Sequence, residues 1–223
     1  QGVKGYSKVT NSVIDNCLDS GFIYCTDVQF SSNLVRRSRD NGVSASRGCT
    51  SVTIVNNRFE NICYWGIWAA GYETGRGPER ILVVGNNITG VGYGGISLDD
   101  APRNALVSGN RVDDFYRGPV DEPNAIHGRG VSVTGWPSSN LAAPTDLARN
   151  IVVSNNTFIE PPRGGISFRG VDGIVVTGNT IINPGSAFGL DGTTAIAAGD
   201  QSQNYGISMT SGYASTVANA TVT

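Results

Sequence analysis

An asparagine followed nine positions later by a glycine recurs along the chain, and no other feature restricts its fold so far. The pairs are Asn33 and Gly42, Asn57 and Gly66, Asn86 and Gly95, and Asn156 and Gly165. Each asparagine closes a short apolar segment, seen at Phe30 to Asn33, Ile54 to Asn57, Val83 to Asn86, Val107 to Asn110, Val153 to Asn156 and Val176 to Asn179. Asn16, after Val13 and Ile14, reads as an earlier copy. Each glycine opens a Gly-apolar-x-apolar segment, at Gly42–Ala45, Gly66–Ala69, Gly95–Leu98, Gly130–Val133, Gly165–Phe168 and Gly206–Met209. Between Asn110 and Gly130 the offset widens, so one turn carries long insertions.

Segments this short, alternating and β-branched are strands. One such strand per turn cannot bury its apolar side alone. Turns stacked in parallel bury a continuous core and pair each backbone with the turns above and below. The expected architecture is all-β: a single-stranded, right-handed parallel β-helix of about seven to eight coils. At ~4.8 Å per coil it makes a rod roughly 35 Å long. The asparagines are expected at a bend that needs a left-handed residue, with their amides bonded along the axis. Residues 1–212 form the helix, and 213–223 a C-terminal tail or the start of a further region.

Composition agrees. Thirty glycines in 223 residues suit many tight bends. A net charge of -2 offers no basic face for nucleic acid. No apolar run approaches the ~20 residues of a membrane span. Cys17, Cys25, Cys49 and Cys63 fit no zinc spacing and read as core thiols, with a disulfide between neighbouring turns left open. No metal site or cofactor is expected.

The asparagine and Gly-Ile-x-apolar segments, over about residues 9 to 209, resemble the pectate-lyase-like superfamily of right-handed parallel β-helices. The resemblance implies the fold, a polysaccharide substrate or receptor, and an extracellular or virion-associated place. It implies no single activity, because that superfamily includes lyases, hydrolases, epimerases, fructotransferases and trimeric phage tailspikes. A homotrimer is therefore one expectation.

The resemblance also implies a substrate groove over the Gly-apolar-x-apolar strands. Their x residues, Ser44, Trp68, Ser97, Ser132, Ser167 and Ser208, are expected to face solvent. Two places before each glycine stand Asp40, Tyr64, Tyr93, Gly128 and Arg163, so Tyr64 and Tyr93 should stack. Trp68, Tyr64, Tyr93 and Trp136 are candidate sugar platforms, or else ordinary packing aromatics. Asp99, Asp100 and Glu73 are candidate catalytic carboxyls, since glycosidic hydrolysis needs two of them a few ångström apart. His127, Arg129, Arg163 and Arg169 would orient substrate or stabilise charge. An Asp-Asp pair, a histidine one coil on and an arginine beyond partly resemble polygalacturonases. That family's Asn-Thr-Asp, Gly-His-Gly and Arg-x-Lys segments are missing. Insertions at 111–129 and 134–149 would wall the groove. Asp113 and Asp114 read as solvated loop charges, and Arg36, Arg37 and Arg39 with Asp40 as a charged turn.

Overall fold

The computed structural model describes residues 6–23, 25–46, 49–71, 77–115, 128–135, 147–184, 205–210 and 218–223. Every regular element among them is a strand, and the strands form three parallel sheets. The first sheet stacks β1 (Ser7–Thr10), β4 (Thr26–Ser31), β7 (Thr50–Val55), β10 (Glu79–Val84), β13 (Arg103–Ser108), β16 (Ala148–Ser154), β19 (Val171–Thr177) and β22 (Ala218–Val222). The second stacks β2 (Val13–Asp15), β5 (Leu34–Ser38), β8 (Arg58–Ile62), β11 (Asn87–Val91), β14 (Arg111–Phe115), β17 (Thr157–Ile159) and β20 (Thr180–Ile182). The third stacks β3 (Gly21–Ile23), β6 (Val43–Ser46), β9 (Trp65–Ala70), β12 (Gly94–Asp99), β15 (Arg129–Thr134), β18 (Gly164–Arg169) and β21 (Tyr205–Thr210). Each coil thus gives one strand to each sheet, which is a parallel β-helix. Its crossovers take the right hand, as parallel crossovers do. β22 falls in the stretch read as tail or further region, and it pairs with β19.

The interior is a set of aligned apolar columns. Val28, Val52, Ile81, Ala105, Ile151 and Ile174 form one, and Phe30, Ile54, Val83, Val107, Val153 and Val176 the next; all are buried. Phe30 and Phe59 stack with centroids 6.3 Å apart, filling the space between the first two sheets.

The asparagine column runs up the corner between the first two sheets. Asn33, Asn57, Asn86, Asn110 and Asn156 are almost wholly buried. Each Nδ2 donates to the Oδ1 of the next: Asn33 to Asn57 at 3.1 Å, Asn57 to Asn86 at 3.0 Å, and Asn86 to Asn110, Asn110 to Asn156 and Asn156 to Asn179 at 2.9 Å. Each Oδ1 also accepts the backbone N–H one coil back, as Asn110 Oδ1 does from Asn86 at 2.9 Å. A second amide hydrogen goes to a strand carbonyl, as Asn110 Nδ2 does to Val83 at 3.0 Å. A buried amide so fully paired carries no desolvation penalty and fixes coil on coil.

Two expectations about this corner need correction. The left-handed residue is the one before each ladder asparagine: Ser32, Asn56, Gly85, Gly109, Asn155 and Gly178 all have φ between 55° and 66° or close by. The ladder residues themselves must stay extended to aim their amides along the axis. Asn16 is outside the ladder, where Ser12 holds its place by donating its N–H to Asn33 Oδ1 at 3.0 Å. Asn16 belongs to a second left-handed column, with Arg37, Asn61, Gly90, Asp114, Glu160 and Asn183.

The glycine column has a different cause. A Cβ on Gly42 would lie 2.5 Å from the carbonyl oxygen of Gly66, and one on Gly130 would lie 2.5 Å from that of Gly165 and 2.3 Å from the Phe158 ring. Close approach between coils excludes every side chain there.

Two loop readings change as well. Arg111 to Phe115 is the regular strand β14, so that insertion begins only after residue 115, and Asp113 is held by Arg111 at 2.8 Å. Arg36 and Arg37 pair with Asp15 one coil back, at 2.9 Å and 2.7 Å, while Asp40 accepts from its neighbour Asn41 at 3.1 Å and aligns with Tyr64 of the next coil.

Candidate functional site

The outer side of the third sheet presents parallel columns whose register follows from the strand pairing. The middle column is Ser44, Trp68, Ser97, Ser132, Ser167 and Ser208, as the sequence pattern requires. Two residues further along each strand run Ser46, Ala70, Asp99, Thr134, Arg169 and Thr210. On the other flank stand Asn41, Trp65, Gly94, Arg129 and Gly164, and beyond them Asp40, Tyr64, Tyr93, Gly128 and Arg163.

Half of this row is not a solvent face, contrary to expectation, while Trp68, Ser167 and Ser208 are half-buried. Ser44, Ser97 and Ser132 are 3%, 1% and 4% exposed. Two acids close over it, Asp19 from the turn before β3 and Asp99 from the end of β12. Ser44 Oγ donates to Asp19 Oδ2 at 2.6 Å, and Ser97 Oγ to Asp99 Oδ2 at 2.9 Å.

Asp99 is the centre of the arrangement. Its Oδ2 also accepts the indole Nε1–H of Trp68 at 2.9 Å, and its Oδ1 accepts the hydroxyl of Thr134 at 2.8 Å. Three coils therefore hold one carboxyl. Burial is the strongest influence on it and pushes its pKa up; the bonds from Thr134, Trp68 and Ser97 pull down, and the charge of Asp100 pushes up again. The net direction is upward.

Asp100 is buried and turns the chain from β12 to β13. It and Ala101 both take left-handed φ, 64° and 57°, and Ala101 N–H donates to Thr134 O at 3.0 Å. Asp100 therefore lies beside Asp99 and acts on it through charge.

The aromatics gather in this coil, with Tyr93, and in the one before it, with Tyr64, Trp65 and Trp68. Tyr64 and Tyr93 stack with centroids 5.4 Å apart and planes 26° apart, as expected. Trp65 meets Tyr93 edge-on at 5.9 Å. Trp68 stands in the next column, half-buried, its plane fixed by the bond to Asp99. Arg129 is half-buried and interacts electrostatically with Arg163, Tyr93 and Asp99; burial lowers its pKa most, then repulsion from Arg163. Arg169 lies two coils beyond Asp99 in the same column, with Thr134 between them.

So Asp99, Asp100, Trp68, Tyr64, Tyr93, Arg129, Arg163 and Arg169 share one face. Glu73, His127 and Trp136 lie outside the described residues. Sequence reasoning missed Thr134, which the alternation of β15 places beside Asp99, two residues after Ser132. It also missed Asp19, whose partner Ser44 comes from the next coil and leaves no local signal.

These three stacked sheets define the class of the molecule, a right-handed parallel β-helix. The family described as right-handed β-helix region matches residues 3–76. Among solved structures, the catalytic domain of a GH87 α-1,3-glucanase in complex with tetrasaccharides is similar at 14% identity and a TM-score of 0.34, covering 90% of this chain and 48% of that one. The chain thus spans about half the length of that solved chain. No curated protein matches it.

Proposed function

We propose that the outer face of the third sheet, from Tyr64 to Arg169, is a carbohydrate groove in which Asp99 is the acid of glycosidic hydrolysis. The observation that carries this reading is the Asp99 carboxyl itself, half-buried, raised in pKa and held by Trp68, Ser97 and Thr134. A carboxyl that keeps its proton above the ordinary range can donate to a leaving oxygen. Trp68 Nε1 donates only, so Oδ2 stays an acceptor. The Thr134 hydroxyl can turn from donor to acceptor, so the proton belongs on Oδ1. Trp68, Tyr64 and Tyr93 offer faces to sugar rings, and Arg129, Arg163 and Arg169 steady charged or hydroxyl groups. Asp100 or Glu73 serves as the second carboxyl.

The test is release of new reducing ends from a panel of neutral and acidic polysaccharides. Asp99→Asn should cut turnover by about 10²–10⁴-fold with thermal stability retained. Full turnover in Asp99→Asn would remove Asp99 from the chemistry. Unsaturated uronates appearing in place of plain reducing ends would mean a lyase and would shift the weight to the arginines.

One observation favours a second reading, sugar binding without cleavage, as in a trimeric tailspike segment. Both Asp99 oxygens already have intramolecular donors, which is how a structural carboxylate is satisfied. Asp99 would then orient the Trp68 indole as a binding platform. That reading expects no turnover from the wild type, retained glycan binding, loss of binding in Trp68→Ala, and a trimer by sedimentation.

A further inference from the structure

We infer that Cys25 and Cys49 form a disulfide between the second and third coils when the chain meets a small-molecule disulfide. Each cysteine stands one residue before a strand, and those strands are in register, Thr26 opposite Thr50. Thr50 N–H donates to Cys25 O at 3.0 Å, and Cys25 N–H donates to Cys49 Sγ at 3.4 Å. The two thiols also interact side chain to side chain. Residues aligned in this way lie one coil apart, ~4.8 Å, inside the Cα window of roughly 4.4–6.8 Å that a disulfide spans without backbone movement.

The other two cysteines are placed differently. Arg39 N–H donates to Cys17 O and Cys63 N–H donates to Ser38 O, each at 3.0 Å. Cys17 and Cys63 therefore lie on opposite sides of the second coil. Two coil spacings, roughly 10 Å, are beyond reach of an S–S bond. All four cysteines are thiols in this structure.

The reaction is an ordinary exchange. Cys25 is the half-buried member and Cys49 is wholly buried, so Cys25 is the sulfur an incoming disulfide can reach. The Cys25 thiolate attacks one sulfur of the oxidant, the oxidant's S–S bond breaks, and one small thiol leaves. Cys49 then gives up its proton and displaces the second small thiol from the mixed disulfide. Two protein thiols and one small disulfide become one protein disulfide and two small thiols, with two electrons passed to the oxidant. The new bond closes a 24-residue loop around one coil, in the part of the rod nearest its first strand.

The experiment incubates the folded full chain with oxidised glutathione, then counts free thiols and maps linked peptides by mass spectrometry. Four thiols should fall to two, with Cys25 joined to Cys49 and a melting temperature higher by about 5–10 °C that reductant reverses. Cys49→Ser should accumulate a glutathione adduct on Cys25, and Cys25→Ser should leave Cys49 unmodified. Four remaining thiols, adducts alone in the wild type, or a link between any other pair would overturn the inference. A Cys17→Ser, Cys63→Ser double variant that still loses two thiols supports it without depending on either partner.

Discussion

Asp15 and Asp19 are close neighbours in the chain, yet the fold moves their carboxyls in opposite directions. The Arg37 guanidinium bonded to Asp15, opposed by desolvation and helped by Arg36, lowers its pKa from 3.8 to about 2. Burial raises that of Asp19, with Ser44 pulling down and the charge of Asp40 pushing up. The signs follow by linkage. Asp15 adds stability that is fully present above pH 3.8 and lost as pH falls toward about 2. Asp19, Asp40 and Asp99, all raised, let the folded state hold protons more tightly, so stability declines as pH rises through 3.8 toward their folded values. Asp15→Asn should therefore flatten the loss of melting temperature between pH 4 and pH 2. Asp19 Oδ1 is buried with no hydrogen-bond partner among the described residues. Asp19→Asn keeps an acceptor for Ser44 and removes the charge, so it should raise stability at pH 7 by about 1 kcal/mol in urea titration. None of this was legible in the sequence, because each carboxyl takes its partners from the following coil, at spacings of 22 and 25 residues.

The strand and its corners were far more legible. The apolar columns, the serine-and-tryptophan row and the Tyr64–Tyr93 stack all follow from period-two alternation once the coils are aligned. The choice of left-handed residue did not. In Asn56-Asn57 and Asn155-Asn156 either residue suits a bend by type, and only the need to turn an amide along the axis separates them. Gly85-Asn86 and Gly109-Asn110 held the clue, since glycine takes the left-handed place and leaves the asparagine to the ladder. Asn110→Ala should be costly for the same reason. It leaves Asn86 N and Nδ2, Val83 O and Asn156 Oδ1 each short of a bond in a buried column, a loss of about 3 kcal/mol or more by chemical denaturation. Phe59→Ala, which removes a fully buried ring stacked on Phe30, should cost about 3–5 kcal/mol.

The molecule as a whole is a stack whose members touch mainly their neighbours, and stability is then close to a sum over coils. A deletion of residues 58–86 carries Asn57 to the position Asn86 held, opposite Asn110, and keeps every remaining ladder amide paired. That shortened chain should still fold, with β circular dichroism and a cooperative melt. Removing only residues 58–71 breaks the register and should abolish both. The face that carries the candidate site was visible from the repeat, but its depth was not, because Asp19 from a turn and Asp99 from the end of β12 close over the serines. The glycine column sets a last condition on how such a chain changes over generations. The interval between β15 and β16 is longer than any other from a strand of the third sheet to the next strand of the first, yet the pairings of both strands hold, so added length between strands leaves the register intact. A single methyl at Gly130, lodged between the Gly165 carbonyl and Phe158, has nowhere to go. Descent can therefore lengthen this protein by a dozen residues more easily than by one carbon atom.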